Sequence, residues 1–122
     1  MTLEELYAQI GGSYEQAMRV LRMERLLDKH IRKLPQNGVM ERLAAAGESM
    51  DATELFESAH AMKGVCGNLG LVELAAVASD IAEEFRPGNE RRLSDDEVKA
   101  KIAQAGELYA KAAEGIRQYS AG

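Results

Sequence analysis

The sequence predicts an all-α protein, an up-and-down four-helix bundle with short peripheral N-terminal helices. Three observations predict it. Apolar residues recur at three- and four-residue spacings along nearly the whole chain. Stop and start signals are regular. Ser13, Asp51 and Ser94 each stand three residues before Gln16, Glu54 and Glu97, the capping-box spacing, and glycine or proline turns separate the periodic stretches. Two prolines, no tryptophan and 5% aromatics within 46% hydrophobic residues favour helix over sheet.

Taken in order, Leu3, Leu6, Tyr7 and Ile10 predict a short first helix ended by Gly11-Gly12. Ser13 opens a second helix with Ala17, Val20, Leu27, Ile31 and Leu34 on one side, and Pro35 stops it. Gln36-Asn37-Gly38 is a turn, and Val39, Met40 and Leu43 support a short third helix ending at Gly47. Asp51 caps a helix that runs to about Asn68, where Asn68-Leu69-Gly70 reads as a glycine stop. Leu71, Leu74, Ala78, Ile81 and Phe85 form the next apolar stripe, closed by Pro87-Gly88-Asn89. The last helix carries Val98, Ile102, Ala105, Tyr109, Ala112, Ile116 and Tyr119 at alternating spacings of four and three. Short connections make these helices antiparallel neighbours in one domain spanning 1–122, with its core at about 13–119.

Charge narrows the function. Fifteen basic against 20 acidic residues leave a net charge of −5. That argues against a nucleic-acid binder, which needs a basic stripe, and against electrostatic docking on an anionic membrane. No apolar run is long enough to span a membrane, and the first residues lack a signal peptide's basic start. The expectation is a cytoplasmic, free-standing monomer whose helices end near Tyr119. Cys66 is alone and reads as a small core residue. Met18, Met23, Met40 and Met62 read as core filler. Asp80, Glu83 and Glu84 read as a solvated face, and Arg86, Arg91 and Arg92 as charges of the Pro87 loop.

One helix departs from this plain pattern. At about 100° per residue, Leu55, Ser58, Met62, Val65, Cys66 and Leu69 gather on one side of helix 52–68, and His60 points the other way. Thr53, Phe56, Glu57, Lys63, Gly64 and Gly67 surround it. Two mid-helix glycines each cost about 0.8–1 kcal/mol relative to alanine, and both lie within about 40° of His60. They leave the imidazole open to a large molecule. An exposed imidazole is largely neutral near pH 7 and nucleophilic enough to accept a phosphoryl group. Lys63, at i+3, can reach the oxygens of that group. Phe56 offers a docking protein an apolar anchor. Nothing else in the chain resembles nucleotide or metal machinery, so a partner must supply it.

His60-Ala-Met-Lys63-Gly64, with Gly70 ten residues after the histidine, resembles the signature of histidine-containing phosphotransfer (HPt) domains. Gly11-Gly12-Ser13 resembles the family's Gly-Gly-Asp start, and the resemblance covers about residues 3–119. It implies a phosphorelay intermediate of bacterial two-component signalling, a phosphocarrier without its own ATP-binding kinase domain. Such a protein accepts a phosphoryl group from a receiver-domain aspartate and passes it to another. Its partners are response-regulator receiver domains and a sensor (hybrid) histidine kinase. It implies that His60 carries the phosphoryl group, generally at Nε2, that Lys63 stabilises it, and that Gly64 keeps the site open. Phe56, Glu57 and Gly67 would contact the partner, and Asn68 and Gly70 would mark the helix end. The receiver brings Mg²⁺, so the chain needs no cofactor or metal of its own. Many members place a polar residue 22 positions after the histidine to bond its other ring nitrogen, but this chain has Ala82 there, with Glu83 and Ser79 as possible substitutes.

Three alternatives fit less well. A docking adaptor that transfers nothing has no use for the intact His60-Lys63-Gly64 set. Glu57-x-x-His60 matches one half of a di-iron motif, but Leu27 precedes His30 by three residues, so there is no second copy. The phosphate-accepting domain of a kinase would need a nucleotide-binding segment that this chain does not have. His30, with no glycines around it, reads as a surface or flanking residue.

Overall fold

Polar caps and left-handed stops divide the chain into helices, and a computed structural model describes all of residues 1–122. The helices are α1 (Leu3–Ile10), α2 (Tyr14–Leu21), α3 (Glu24–Lys33), α4 (Val39–Ser49), α5 (Ala52–Asn68), α6 (Val72–Phe85) and α7 (Asp95–Ala121). A 3-10 turn, Leu34–Gln36, joins α3 to α4. Thr2 with Glu5 and Ser94 with Glu97 form reciprocal capping boxes. Ser13 and Asp51 accept the N–H groups of Gln16 and Glu54, but these caps are one-sided: Glu54 turns instead to Arg42.

Helices α4 to α7 close into a four-membered ring, each packing against its two neighbours. Adjacent members run antiparallel. Asp80 meets Lys101 and Glu84 meets Arg91 between α6 and the start of α7, while Gly47 lies against Ile102 across α4 and α7. Helix α7 has 27 residues, about 40 Å of rise. It is long enough to serve the ring at one end and to receive α1 and α3 at the other. Every residue of the α7 stripe from Val98 to Ile116 is buried, and Tyr119 at its end is half-buried. No helix is long and apolar enough to cross a membrane.

Four expectations are corrected. The single helix expected from Ser13 to Leu34 is two. Arg22 takes a left-handed conformation (φ 66°), its N–H bonds Met18 O, and Met23 restarts the chain in an extended conformation. Over ten residues a straight helix would set Ala17 and Leu27 about 80° apart. That spread fits one apolar face, so burial alone does not require the break. The break separates α2, which packs on α5 with Ala17 against Gly70, from α3, which packs on α7, and it leaves Val20 50% exposed. Helix α4 passes through Gly47, whose missing Cβ makes room for the Ile102 side chain rather than ending the helix. Met23 lies outside the core, whereas Met62 is fully buried within it and Met18 and Met40 pack against the core.

Glu84 is the fourth correction, because it is buried rather than solvated. Its carboxylate accepts the Arg91 Nε–H and the backbone N–H groups of Arg92 and Leu93, at 2.9–3.1 Å. Burial raises its pKa, but these bonds together hold the carboxyl below its ordinary value. A single carboxylate thereby pins the α6–α7 loop, and Arg91 is committed to it.

The end of α5 is fixed more tightly still. Gly70 N–H bonds Gly67 O and Leu71 N–H bonds Cys66 O, a Schellman closure with Gly70 at φ 70°. Ser13 N–H donates to Gly70 O at 2.7 Å, and the buried Tyr7 hydroxyl donates to Leu69 O at 2.6 Å. A Cβ on Gly70 would stand 2.3 Å from the Ser13 carbonyl oxygen. Gly70→Ala therefore combines a left-handed penalty with a backbone clash. It is expected to lower the unfolding free energy in urea by more than about 2 kcal/mol. A change within experimental error would contradict this account of the junction.

Candidate functional site

Helix α5 is held by one side only. Leu55, Ala59, Met62 and Cys66 are fully buried, and Ser58 turns its hydroxyl back to Glu54 O at 2.7 Å. Burial pushes the Cys66 thiol up to about 12, so it stays protonated and packs as an apolar residue. His60 projects from the opposite side, exposed, with Thr53, Glu57, Lys63, Gly64 and Gly67 exposed around it.

The glycines of the chain differ in what surrounds them. A Cβ on Gly12 would meet Tyr7 at 2.8 Å, and one on Gly115 would meet Ile10 at 2.4 Å. Gly64 and Gly67 face open space, with nothing within 4 Å of a Cβ. Neither has a positive φ. Packing and backbone conformation therefore give no reason for glycine at either place, and the helix is weaker for having them.

Phe56 is half-buried against the core, and its ring stacks on His60, with centroids 5.5 Å apart and planes 16° apart. The Arg86 guanidinium lies 5.3 Å from the centre of the same phenyl ring. Glu83 holds Arg86 through contacts of 2.6 and 3.0 Å. Arg86's hydrogen bonds, with a smaller contribution from the nearby charge of Lys63, keep the Glu83 carboxyl below its ordinary value. Glu57 faces Arg42 at 3.4 Å. Ala82 is buried, and neither Glu83 nor Ser79 hydrogen-bonds the imidazole. The ring is held by stacking alone.

Sequence reasoning placed His60, Lys63, Gly64, Gly67 and Phe56 on one face, and the structure brings them together there. It missed the Arg86–Phe56–His60 stack. The i, i+4 spacing of Phe56 and His60 signals half of it, but Arg86 arrives from the end of α6, beyond any local pattern. His30 is exposed and borders a shallow groove with Val65 and Asn68 of α5. The largest concavity lies elsewhere, between Asp80, Asn89 and Lys101. An exposed side chain on an open helix face suits a macromolecular partner, because small ligands take concave sites. No three His, Cys, Asp or Glu side chains gather as metal ligands.

A family model described as Hpt domain matches residues 15–113, which include every residue of this face. The chain belongs to the Hpt domain family. The membership implies histidine phosphotransfer in phosphorelays, and Hpt domains interact with receiver domains and kinases of two-component systems. No curated protein and no solved structure gives a significant match. Helix α1 precedes the matched segment, yet its Tyr7 supports the carbonyl at the end of α5 in this Hpt domain.

If Gly64 and Gly67 serve only what docks from outside, alanine is harmless to the fold. Gly64→Ala and Gly67→Ala are each expected to raise stability by about 0.5–1 kcal/mol in urea unfolding. Gly47→Ala, facing Ile102, is expected to lower it. Destabilisation at 64 or 67 would show a packing role that the open face excludes.

Proposed function

We propose that this Hpt domain is a phosphorelay intermediate, with His60 as phosphoryl acceptor and donor. One observation carries the reading: an exposed imidazole centred on a helix face cleared by two glycines that the fold does not need. The donor is the aspartyl phosphate of a receiver domain. A neutral ring nitrogen attacks phosphorus, the N–P bond forms, and the P–O bond to the aspartate breaks. The carboxylate leaves with the electron pair, and the proton on the other ring nitrogen stays in place. A second receiver's aspartate reverses the step, with imidazole as the leaving group.

Lys63 is exposed at i+3 and is in no ion pair closer than 4 Å, so its ammonium is free to bond the phosphoryl oxygens. Gly64 and Gly67 let the receiver approach, and Glu57 lies at the rim. Asn68 and Gly70 set where α5 ends. In this reading Mg²⁺ belongs to the receiver's acidic pocket, and the chain acts as a cytoplasmic monomer. A hybrid sensor kinase supplies the phosphoryl group to the first receiver.

The test uses a phosphorylated receiver carrying radiolabel. The wild-type protein is expected to acquire acid-labile, base-stable label, and His60→Gln to acquire none. Label retained by His60→Gln would move the acceptor elsewhere. A wild-type protein that binds the receiver without gaining label would make it a docking adaptor instead.

A further inference from the structure

A nucleophile in solvent samples several rotamers, and transfer requires its nitrogen to be held in line with phosphorus. His60 has no hydrogen bond to either ring nitrogen within the chain, and Ala82 on the neighbouring helix is buried and has no polar side-chain atom to offer one. Something else must hold the ring, and the only side chain stacked on it is Phe56.

We propose that Phe56, buttressed by Arg86 and Glu83, is a positioning residue for the His60 imidazole. This rests on the phosphotransfer role proposed above. The parallel stack limits rotation of the imidazole, and it uses no ring nitrogen. Both nitrogens stay available, one for phosphorus and one for its proton. Phe56 can do this because it is itself held. Its body packs on the core, and the Arg86 guanidinium sits against its ring. Glu83 fixes that guanidinium through two contacts, and Asn89 Nδ2–H donates to the Glu83 carbonyl at 2.9 Å, anchoring the end of α6. The orientation of a side chain on α5 is thereby set from α6. Phe56 was expected to anchor a docking protein. Stacking assigns it a second task, with a different kinetic consequence: a docking residue changes the receiver concentration needed, and a positioning residue changes the rate at saturation.

Two measurements on wild type, Phe56→Ala, Phe56→Tyr and Arg86→Gln test this. The first is the proton NMR spectrum of the His60 ring in the unphosphorylated protein, where a stacked phenyl shields the ring protons. Phe56→Ala is expected to move these resonances downfield, and Phe56→Tyr to restore them. The second is single-turnover phosphoryl transfer from a phosphorylated receiver across a concentration series. Phe56→Ala is expected to lower the rate at saturation about three- to tenfold, with Phe56→Tyr recovering most of it. Arg86→Gln, away from the imidazole, is expected to move both readouts in the same direction by less, and it keeps the test open if Phe56→Ala unfolds. Unchanged resonances in Phe56→Ala, or a loss confined to the half-saturating concentration, would overturn the positioning role. A wild-type protein that takes no label would overturn the phosphotransfer reading and the positioning role with it, whereas the resonances report the stack alone.

Discussion

The amide of Ser13 donates to the carbonyl of Gly70 across a gap that admits no side chain, and this contact ties the N-terminal helices to the end of α5. Much depends on it. The Schellman closure at Gly70 ends α5 at Asn68 and turns the chain into α6. Tyr7, bonded to Leu69 O, adds α1 to the same junction. With its C-terminal end held there and one side buried in the ring, α5 cannot rotate to hide His60. The face that carries the histidine stays outward because the opposite face and the end of the helix are both committed.

That commitment explains why so much of the molecule was legible in the sequence. The caps at Ser13, Asp51 and Ser94 and the stop at Gly70 are local chemistry, and the helices begin and end where those residues dictate. The His60 face was legible because helical periodicity fixes which residues lie beside one another. The break at Arg22 was not legible. No glycine or proline marks it, and the reason for it is tertiary: α2 packs on α5 and α3 packs on α7. Glu84 was misread for the same reason. A carboxylate beside two other acids suggests a wet surface, and only the returning loop, with the amides of Arg92 and Leu93, makes it a buried anchor. Gly47 reads in sequence as a helix end, and only the Ile102 side chain against it shows a packing glycine inside α4.

The charge of the site differs from that of the chain. The net charge is −5, yet Lys63 is exposed on the His60 face and Arg86 lies against Phe56, and both charges act on Glu83. Adding a phosphoryl group would bring roughly two negative charges to this spot. Lys63 is free to meet them, and Arg86 is already committed to Glu83 and Phe56. One cation is thus available for the phosphoryl group, and the other maintains the geometry.

The central claim is that the bare face of α5 exists for a protein partner and is not needed for the reactivity of His60. Comparing a small phosphoryl donor with a protein donor on Gly64→Leu tests it most directly. Phosphoramidate reaches the imidazole without docking, and a phosphorylated receiver does not. The account predicts a folded Gly64→Leu protein that phosphoramidate labels on histidine at the wild-type rate and that the receiver labels poorly. Equal transfer from the receiver to Gly64→Leu and to wild type would contradict it.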